Sequence, residues 1–188
     1  MNFAEYNVKD ANLEEVLLAL KSLDTVEAVA LGGSRSTGAS DENSDYDIYV
    51  YCAEIPTAET RENLLGKYCS IAEFGNHYWE SEDNTVMNNG VPVDIIYREV
   101  DRFGRYIDTV IKGGKAFNGY TTAFWHNIKN SKVLFDKTGT FTKFRDMAQI
   151  DFPENLRSAI IKNNRNLLNG KLPSYDLSLI HISEPTRP

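Results

Sequence analysis

The spacing of hydrophobic residues changes several times along the chain, and each spacing predicts a different kind of element. Apolar residues recur every three to four positions in residues 12–23, which is typical of an amphipathic helix. Short runs rich in β-branched and aromatic residues predict strands at residues 26–32 and 45–52. A helix is expected from residue 56 to about residue 69. Two further strands, near residues 83–87 and at residues 91–97, are then predicted.

The segment Asn88-Asn89-Gly90 predicts a hairpin turn between these last two strands, because such residues tolerate positive φ. Beyond the hairpin the pattern is mostly helical. The predicted helices cover residues 99–111, 121–130, 140–149 and 153–169, with a short strand near 132–135. The order of elements predicts an α+β fold, in which a small mixed sheet is flanked by helices and followed by a helical region.

Two positions suggest how the chain is divided. Gly113-Gly114 interrupts the helical pattern, and Gly139 is the alternative position for the boundary. We expect one domain in residues 1–113 and the start of a C-terminal helical region in residues 114–176. Residues 177–188 follow no helical period and resemble the translated read-through of a sequencing adapter. We expect this segment to be a non-native tail that replaces natural sequence after residue 176. The alternative is a natural polar tail.

Composition and charge narrow the possible partners. The 188 residues are 41% hydrophobic and 25% charged, which is typical of a globular protein, and the net charge is −7. The chain has no cluster of Lys and Arg, so a polynucleotide is a less favoured partner than a cation or a neutral molecule. Cys52 and Cys69 form no metal or redox motif and are expected to be free thiols. No apolar stretch is long enough to span a membrane, and we expect a cytoplasmic protein without membrane partners.

The first segment with candidate chemistry follows the strand at residues 26–32. Gly32 and Gly33 let the backbone approach a ligand closely, because neither residue carries a Cβ. The hydroxyl of Ser34 and the N–H groups after it can donate hydrogen bonds to phosphate oxygens. Arg35 is near enough in sequence to reach the same phosphates. We therefore expect this turn, with Gly33, Ser34 and Arg35, to bind a phosphate group.

Three aspartates form the second candidate. Asp45 and Asp47 are two residues apart in a predicted strand, so their side chains should share one face, with Tyr46 and Ile48 on the other. Neighbouring carboxylates repel each other unless a cation lies between them. Asp94 interrupts an apolar strand, where an unpaired carboxylate would be costly to bury. We expect these three side chains to be metal ligands, and Mg²⁺ prefers such oxygen ligands.

Other polar residues have more ordinary interpretations. The acidic run Glu80, Glu82 and Asp83 is interpreted as a solvated strand end, although it could line an acceptor pocket for a cationic substrate. The two histidines at positions 77 and 126 are interpreted as structural. The two tyrosines at positions 49 and 51 could border a nucleotide or pack in a wall. Gly113-Gly114-Lys115 lacks the spacing of a phosphate-binding loop and is interpreted as a helix terminator.

Taken together, these motifs resemble a known family. The combination of Gly33-Ser34, Asp45-Tyr46-Asp47 and a later lone Asp94 resembles the signature of the DNA polymerase beta-like nucleotidyltransferase superfamily. The segment Gly33–Gly38 looks like its small-molecule branch, which includes aminoglycoside and lincosamide nucleotidyltransferases and bacterial proteins of unassigned substrate. The resemblance is good over residues 12–100 and generic beyond them.

The resemblance implies a nucleotidyltransferase fold and a reaction. It implies metal-dependent transfer of a nucleoside monophosphate from a nucleoside triphosphate, ATP first among the candidates, to a hydroxyl acceptor. Asp45, Asp47 and Asp94 would hold two Mg²⁺ ions, and Asp94 would also accept the proton of the acceptor. A small-molecule acceptor is preferred. The alternatives are a protein-modifying enzyme of the toxin–antitoxin type and a nucleotide-binding module without turnover, and the three intact carboxylates disfavour the last.

Overall fold

The computed structural model describes residues 10–38, 41, 44–117 and 121–169, which form one six-stranded sheet with helices on both faces. The elements in chain order are α1 (Ala11–Lys21), β1 (Val26–Leu31), α2 (Gly33–Thr37), β2 (Tyr46–Cys52), α3 (Ala58–Leu65), a 3₁₀ turn (Gly66–Tyr68), β3 (Cys69–His77), β4 (Ser81–Met87), β5 (Pro92–Glu99), α4 (Val100–Ile111), α5 (Ala123–Asn130), β6 (Lys132–Asp136), α6 (Thr140–Ala148) and α7 (Glu154–Asn169). The predicted α+β fold class is confirmed.

The sheet is mixed, and its strand order brings distant parts of the chain together. The order is β3-β4-β5-β2-β1-β6. Strands β2 and β5 are parallel, and the other neighbouring pairs are antiparallel. In the parallel pair Asp47 lies opposite Asp94, so the two residues are neighbours across the centre of the sheet.

Each face of the sheet has its own hydrophobic core, because side chains alternate along the strands. One core contains the apolar face of α1 and, from β2, Tyr46 and Ile48. The other contains Tyr49 and Tyr51 of β2, packed against aromatic residues of α4, α5 and α6. Tyr51 makes edge contacts with the rings at positions 103 and 141, whose centroids lie 5.4 and 5.3 Å away. The predicted alternation of β2 is therefore confirmed.

Most predicted elements occur within a few residues of their expected positions, but β3 was missed. The sequence predicted a helix continuing to about residue 69, whereas α3 ends at Leu65 and Cys69 begins a strand. Among the described strands, β3 pairs with β4 alone, and it is largely exposed; the side chain of Ile71 is 64% exposed. An edge strand of this kind has no alternating hydrophobic pattern, so its sequence carries little strand signal.

The interpretation of the acidic run as a solvated strand end was wrong. The carboxylate of Asp83 is fully buried and lies 3.3 Å from the buried guanidinium of Arg61 on α3. Glu80 accepts two hydrogen bonds of 2.8 Å from Arg98, which is 3% exposed. One ion pair links β4 to α3, and the other links the turn before β4 to β5. Burying such cations is tolerated because each one has a carboxylate partner.

The chain beyond residue 113 contributes to the same sheet. Strand β6 pairs with β1, with Leu31 opposite Lys132, and α5 and α6 cover one sheet face. Gly114 has φ +61° just after α4, so the interpretation of Gly113-Gly114 as a helix terminator is confirmed. The sheet continues across residue 113, because β6 belongs to it. The division into two functional regions at this residue stays a prediction.

Residues 177–188, which were predicted to be a non-native tail, lie outside the described residues. None of the described helices is long and apolar enough to cross a membrane.

Candidate active site

The candidate residues meet at one end of the sheet. Strands β2 and β5 both start there, β1 ends there, and β6 starts beside the end of β1. Asp94, Asp47, the Gly32–Ser34 turn and Ser131 therefore form a row along this edge. The acidic members of the row lie in its β5 and β2 half, which we call the acidic half. The row's members on β1 and β6, the Gly32–Ser34 turn and Ser131, are uncharged, and we call this the neutral half, although Lys132 at the start of β6 donates to the carbonyl of Arg35 nearby.

Asp47 is the centre of the acidic half. Its carboxyl group is partly buried, and Asp45 and Asp94 lie near it. Burial first, and then the negative charges of Asp45 and Asp94, raise the pKa of the Asp47 carboxyl from 3.8 to about 6. Asp94 is distant in sequence, but it lies opposite Asp47 in the parallel pair of β2 and β5, so the two carboxylates are neighbours. Positive charge placed among them would relieve their repulsion.

Asp45 is positioned by a neighbouring side chain rather than by the strand. Strand β2 begins at Tyr46, so Asp45 lies just before it. The guanidinium of Arg35 donates to the backbone carbonyls of Ser44 and Asp45, with Nε 2.9 and 3.0 Å from the two oxygens. Nη2 also donates to Ser44 O, and the guanidinium stacks 4.1 Å from the ring centroid of Tyr46. The structure thus shows Arg35 holding the segment that carries Asp45. Its predicted contact with phosphate stays a prediction.

The two glycines of the turn are required by close packing. Gly33 has φ +59°, and a Cβ on it would overlap Oδ2 of Asp47. A Cβ on Gly32 would overlap the ring of Tyr49. The N–H of Gly32 donates to the carbonyl of Asp47 at 2.8 Å, which ties the turn to β2. The turn therefore lies directly against the carboxylate of Asp47.

Two polar residues of β4 also belong to the acidic half. Glu82 was part of the acidic run noted in the sequence, whereas Asn84 was not identified there. Asn84 Nδ2 donates to Asp94 Oδ1 at 2.9 Å, which orients that carboxylate. Burial and the charge of Asp94 raise the pKa of Glu82. Glu82 and Asn84 are two residues apart on one strand face, and Asn84 lies opposite Asp94. The alternation of polar residues along β4 is visible in the sequence. It indicates a place in the site only when the pairing of β4 with β5 is known.

A pocket of about 230 Å³ lies in the neutral half of the row. The pocket lies between α5 on one side and the turn with α2 on the other. Polar groups line it on both sides. The lining residues are Gly32, Gly33, Ser34, Ser36, Thr37, His126, Asn127, Asn130 and Ser131. His126, which was interpreted as structural, thus borders the same pocket as Ser34.

The tyrosines of β2 form the wall between the site and the second core. Tyr49 and Tyr51 are buried, and Asn127 Nδ2 donates to the hydroxyl of Tyr49 at 3.0 Å. The guanidinium of Arg98 lies 4.2 Å from the ring centroid of Tyr49 and donates to the hydroxyl of Tyr51 at 3.1 Å. Burial raises the pKa of Tyr49 to about 12, so its hydroxyl stays neutral. Of the two interpretations, these contacts favour wall packing.

The carboxylates suit a divalent cation in their chemistry. Within the described part of the chain, no three acidic, His or Cys side chains are arranged as a formed metal site. The Asp47 carboxyl nevertheless has a raised pKa because two other carboxylates are near, and added positive charge would counter this effect. The available donors are carboxylate oxygens, which Mg²⁺ prefers. Asp45, Asp47 and Asp94 are therefore the residues that could hold such an ion.

Comparison with known proteins identifies the class. Residues 13–117, more than half of the chain, match the nucleotidyltransferase domain family. The chain belongs to this family, and the recognition made from Gly33-Ser34, Asp45, Asp47 and Asp94 is confirmed. No curated protein sequence matches the chain at a significant level. The matched range covers the carboxylates and the turn but ends before α5.

Solved structures with a similar arrangement include a toxin–antitoxin with AMP-PNP, at 15% identity and a TM-score of 0.45, covering 83% of this chain and 94% of the other. A mutant of the toxin–antitoxin MntA–HpeT matches at 13% identity and a TM-score of 0.44, covering 85% and 97%. Cid1 in complex with its short product ApU matches at 18% identity and a TM-score of 0.37, covering 56% and 36%.

Proposed function

We propose that this nucleotidyltransferase domain transfers a nucleoside monophosphate from a nucleoside triphosphate, ATP first among the candidates, to a hydroxyl group of a small molecule. The observation that carries the proposal is the position of Asp47. Its carboxylate lies directly against Gly33, and the charges of Asp45 and Asp94 act on it. A carboxylate cluster beside a turn without side chains suits a metal–triphosphate complex, because the cation and the phosphates need adjacent sites of opposite character.

Each residue of the site has a task in this reaction. Asp45, Asp47 and Asp94 would hold two Mg²⁺ ions, which, when bound, supply positive charge that offsets the triphosphate and acidifies the acceptor hydroxyl. Arg35 keeps Asp45 in place through its carbonyl contacts. Asn84 binds one oxygen of Asp94 and leaves the other for the proton of the acceptor. Ser34 and the turn orient the phosphates.

The bond changes follow from this arrangement. The acceptor oxygen forms a bond to the α-phosphorus, and its proton passes to the free oxygen of Asp94. The bond from the α-phosphorus to the bridging oxygen breaks, and its electron pair leaves with pyrophosphate. The products are the nucleotidylated acceptor and pyrophosphate.

We further propose that the acceptor carries positive charge. The acceptor would approach the site from the side of β4 and β5, and the neutral half of the row lies on the other side of Asp47. Glu82 lies on this side with its pKa raised by burial and by Asp94, so a nearby cation would stabilise its charged form. The net charge of −7 also disfavours a polynucleotide acceptor. We also propose that the protein is cytoplasmic.

The test is acceptor-dependent release of pyrophosphate. The purified chain is incubated with Mg²⁺ and each of the four ribonucleoside triphosphates, with panels of cationic amino sugars and neutral sugars, and products are identified by mass. We expect release with ATP and an amino sugar, and none in Asp47→Asn. Absence of both triphosphate binding and release would overturn the proposal.

The same experiment includes the protein-modifying alternative. Proteins from a bacterial lysate are added as acceptors in place of the sugars, and labelled nucleotide on a protein band is measured. Labelling of protein with no labelled sugar would overturn the small-molecule assignment while retaining nucleotidyl transfer. Binding of ATP without transfer to either panel would favour the module without turnover.

A further inference from the structure

The neutral half of the site contains a buried polar group without a partner. Ser131 immediately follows α5 and is 4% exposed, and its Oγ has no hydrogen-bond partner among the described residues. Its backbone is fixed on both sides, because its N–H donates to Asn127 O at 2.8 Å and its carbonyl accepts from Arg145. A buried hydroxyl without a partner costs free energy of folding. Ser131 lines the pocket but its Oγ is closed to solvent, so a bound ligand can supply the missing partner once the side chain turns towards the pocket.

His126, one turn before Asn130 on α5, is an exposed residue that lines the same pocket. Asn130 Nδ2 lies 2.8 Å from the carbonyl of His126 and 3.2 Å from its Nδ1. The carbonyl can only accept, so this amide nitrogen must be the donor. Nδ1 of His126 therefore accepts the other amide hydrogen, and in the neutral ring Nε2 carries the proton. The Asn130 contact therefore leaves Nε2–H as the ring donor that His126 can offer to a ligand in the pocket.

The charges along the sheet edge decide what these donors bind. The pocket has no acidic residue in its lining, whereas Asp47 and Asp94 lie in the adjoining half of the row. Phosphate oxygens are repelled by carboxylates and are good acceptors for hydroxyl and N–H groups. Ser34 lines the pocket beside Gly33, so the pocket begins at the turn that lies against Asp47.

We propose that Ser131 and His126 bind the terminal phosphates of the nucleoside triphosphate and hold the departing pyrophosphate. The proposal rests on the proposed function. Ser131 Oγ–H and His126 Nε2–H donate to non-bridging oxygens of the β- and γ-phosphates. When the bond to the α-phosphorus breaks, its electron pair goes to the pyrophosphate oxygen, and the two donors stabilise the added charge. They are residues that contact the leaving group, outside the matched range of residues 13–117.

The test compares ligands that have or lack these phosphates. Binding of ATP, AMP and inorganic pyrophosphate, each with Mg²⁺, is measured by titration calorimetry for Ser131→Ala and His126→Ala. We expect each variant to weaken ATP and pyrophosphate binding about tenfold, as for loss of one hydrogen bond to a charged group. AMP binding should be unchanged. His126→Gln, which keeps an N–H donor, should restore most of the loss.

Matched controls come from the edge strand β3, where Ser70 and His77 are exposed. Ser70→Ala and His77→Ala should bind all three ligands as the unaltered chain does. Ser131→Ala should also have an unchanged or higher melting temperature, because the lost hydroxyl has no partner to lose. A structural role for Ser131 would instead lower the melting temperature of Ser131→Ala, and that result would overturn the proposal.

The outcomes separate this proposal from the proposed function. If the unaltered chain binds ATP and both variants bind it equally well, the phosphate assignment is wrong and the proposed function stands. If AMP binding is weakened as much as ATP binding, the two residues contact the nucleoside, and the assignment is again wrong. If the unaltered chain binds neither ATP nor pyrophosphate, both proposals fail.

Discussion

The carboxylate of Asp47 occupies the place where a side chain on Gly33 would begin, so the two residues can be neighbours only because position 33 is glycine. Gly33 also has φ +59°, a conformation that glycine adopts easily and other residues adopt at a cost. One residue thus satisfies two requirements, the shape of the turn and the space for the carboxylate. Changing it should affect both, and the two effects can be measured separately.

Gly33→Ala is expected to reduce nucleotidyl transfer at least a hundredfold, because the new Cβ displaces the Asp47 carboxylate. The positive φ should also cost about 1 kcal/mol of unfolding free energy. Gly90→Ala is the control, since Gly90 has φ +85° and open space around its Cβ position. It should show the same loss of stability with unchanged transfer. Equal activity of the two variants would contradict the role of the Gly33–Asp47 contact.

Asp47→Asn is expected to abolish transfer to within the detection limit while leaving the fold intact. The amide lacks the charge that holds a cation, and its two neighbours cannot replace it. Transfer and circular dichroism are measured together, with Asp24→Asn as the control because Asp24 is an exposed aspartate away from the site. Full activity of purified Asp47→Asn would rule out the metal-ligand role.

The pKa of Asp47 also predicts a pH effect on the metal-free protein. Burial and the neighbouring charges raise this pKa from 3.8 to about 6, so folding favours the protonated carboxyl. The resulting stabilisation is complete below about pH 4 and is lost as pH rises through about 6. Asp47→Asn is neutral throughout, so its melting temperature should exceed that of the unaltered chain at pH 7 and approach it near pH 4. A difference that does not change with pH would be inconsistent with the raised pKa.

Ser34→Ala is expected to reduce transfer about tenfold, much less than Asp47→Asn. Only one hydroxyl contact with phosphate is lost, since the backbone donors of the turn remain. The loss should appear mainly as weaker binding of the triphosphate, measured as KM and by direct titration. If Ser34→Ala is as damaging as Asp47→Asn, the hydroxyl has a more direct part in the reaction than orienting phosphate.

Glu80→Gln is expected to destabilise the fold by about 3–5 kcal/mol, because Arg98 would remain buried without its carboxylate. Denaturant unfolding measures this loss. The control is Glu154→Gln, which breaks the exposed pair between Glu154 and Arg157 and should change stability by less than about 1 kcal/mol. Similar effects of the two substitutions would mean that Arg98 is stabilised by its ring contacts instead.

The candidate chemistry of the central residues could be predicted from the sequence, because it depends on local pattern. Strand alternation placed Asp47 on the face opposite Tyr46 and Ile48, and the structure confirms it. An aspartate in the apolar strand of residues 91–97 could be recognised as unusual without any knowledge of its neighbours. Helix and strand positions were predicted for the same reason, since each spacing is set by the geometry of one element.

Relations between elements could not be predicted in this way. The sequence does not state that β2 and β5 pair in parallel, and only this register places Asp94 beside Asp47. It gave no reason to expect that Glu80 pairs with Arg98, and the acidic run was therefore misinterpreted as solvated. Strand β3 was missed because an exposed edge strand depends on its pairing rather than on a hydrophobic pattern.

The sequence by itself singled out the three aspartates and the glycine turn as candidates for chemistry, and it gave the face of β2 that Asp47 occupies, because strand alternation is a local pattern. The tertiary structure decided which of them meet, because sheet order and helix packing bring together residues that are far apart along the chain. Ser131 and His126 illustrate the difference. As isolated residues they have no distinguishing pattern, and they become candidates for phosphate binding only because α5 packs beside the turn at Gly33 and leaves a polar pocket between them.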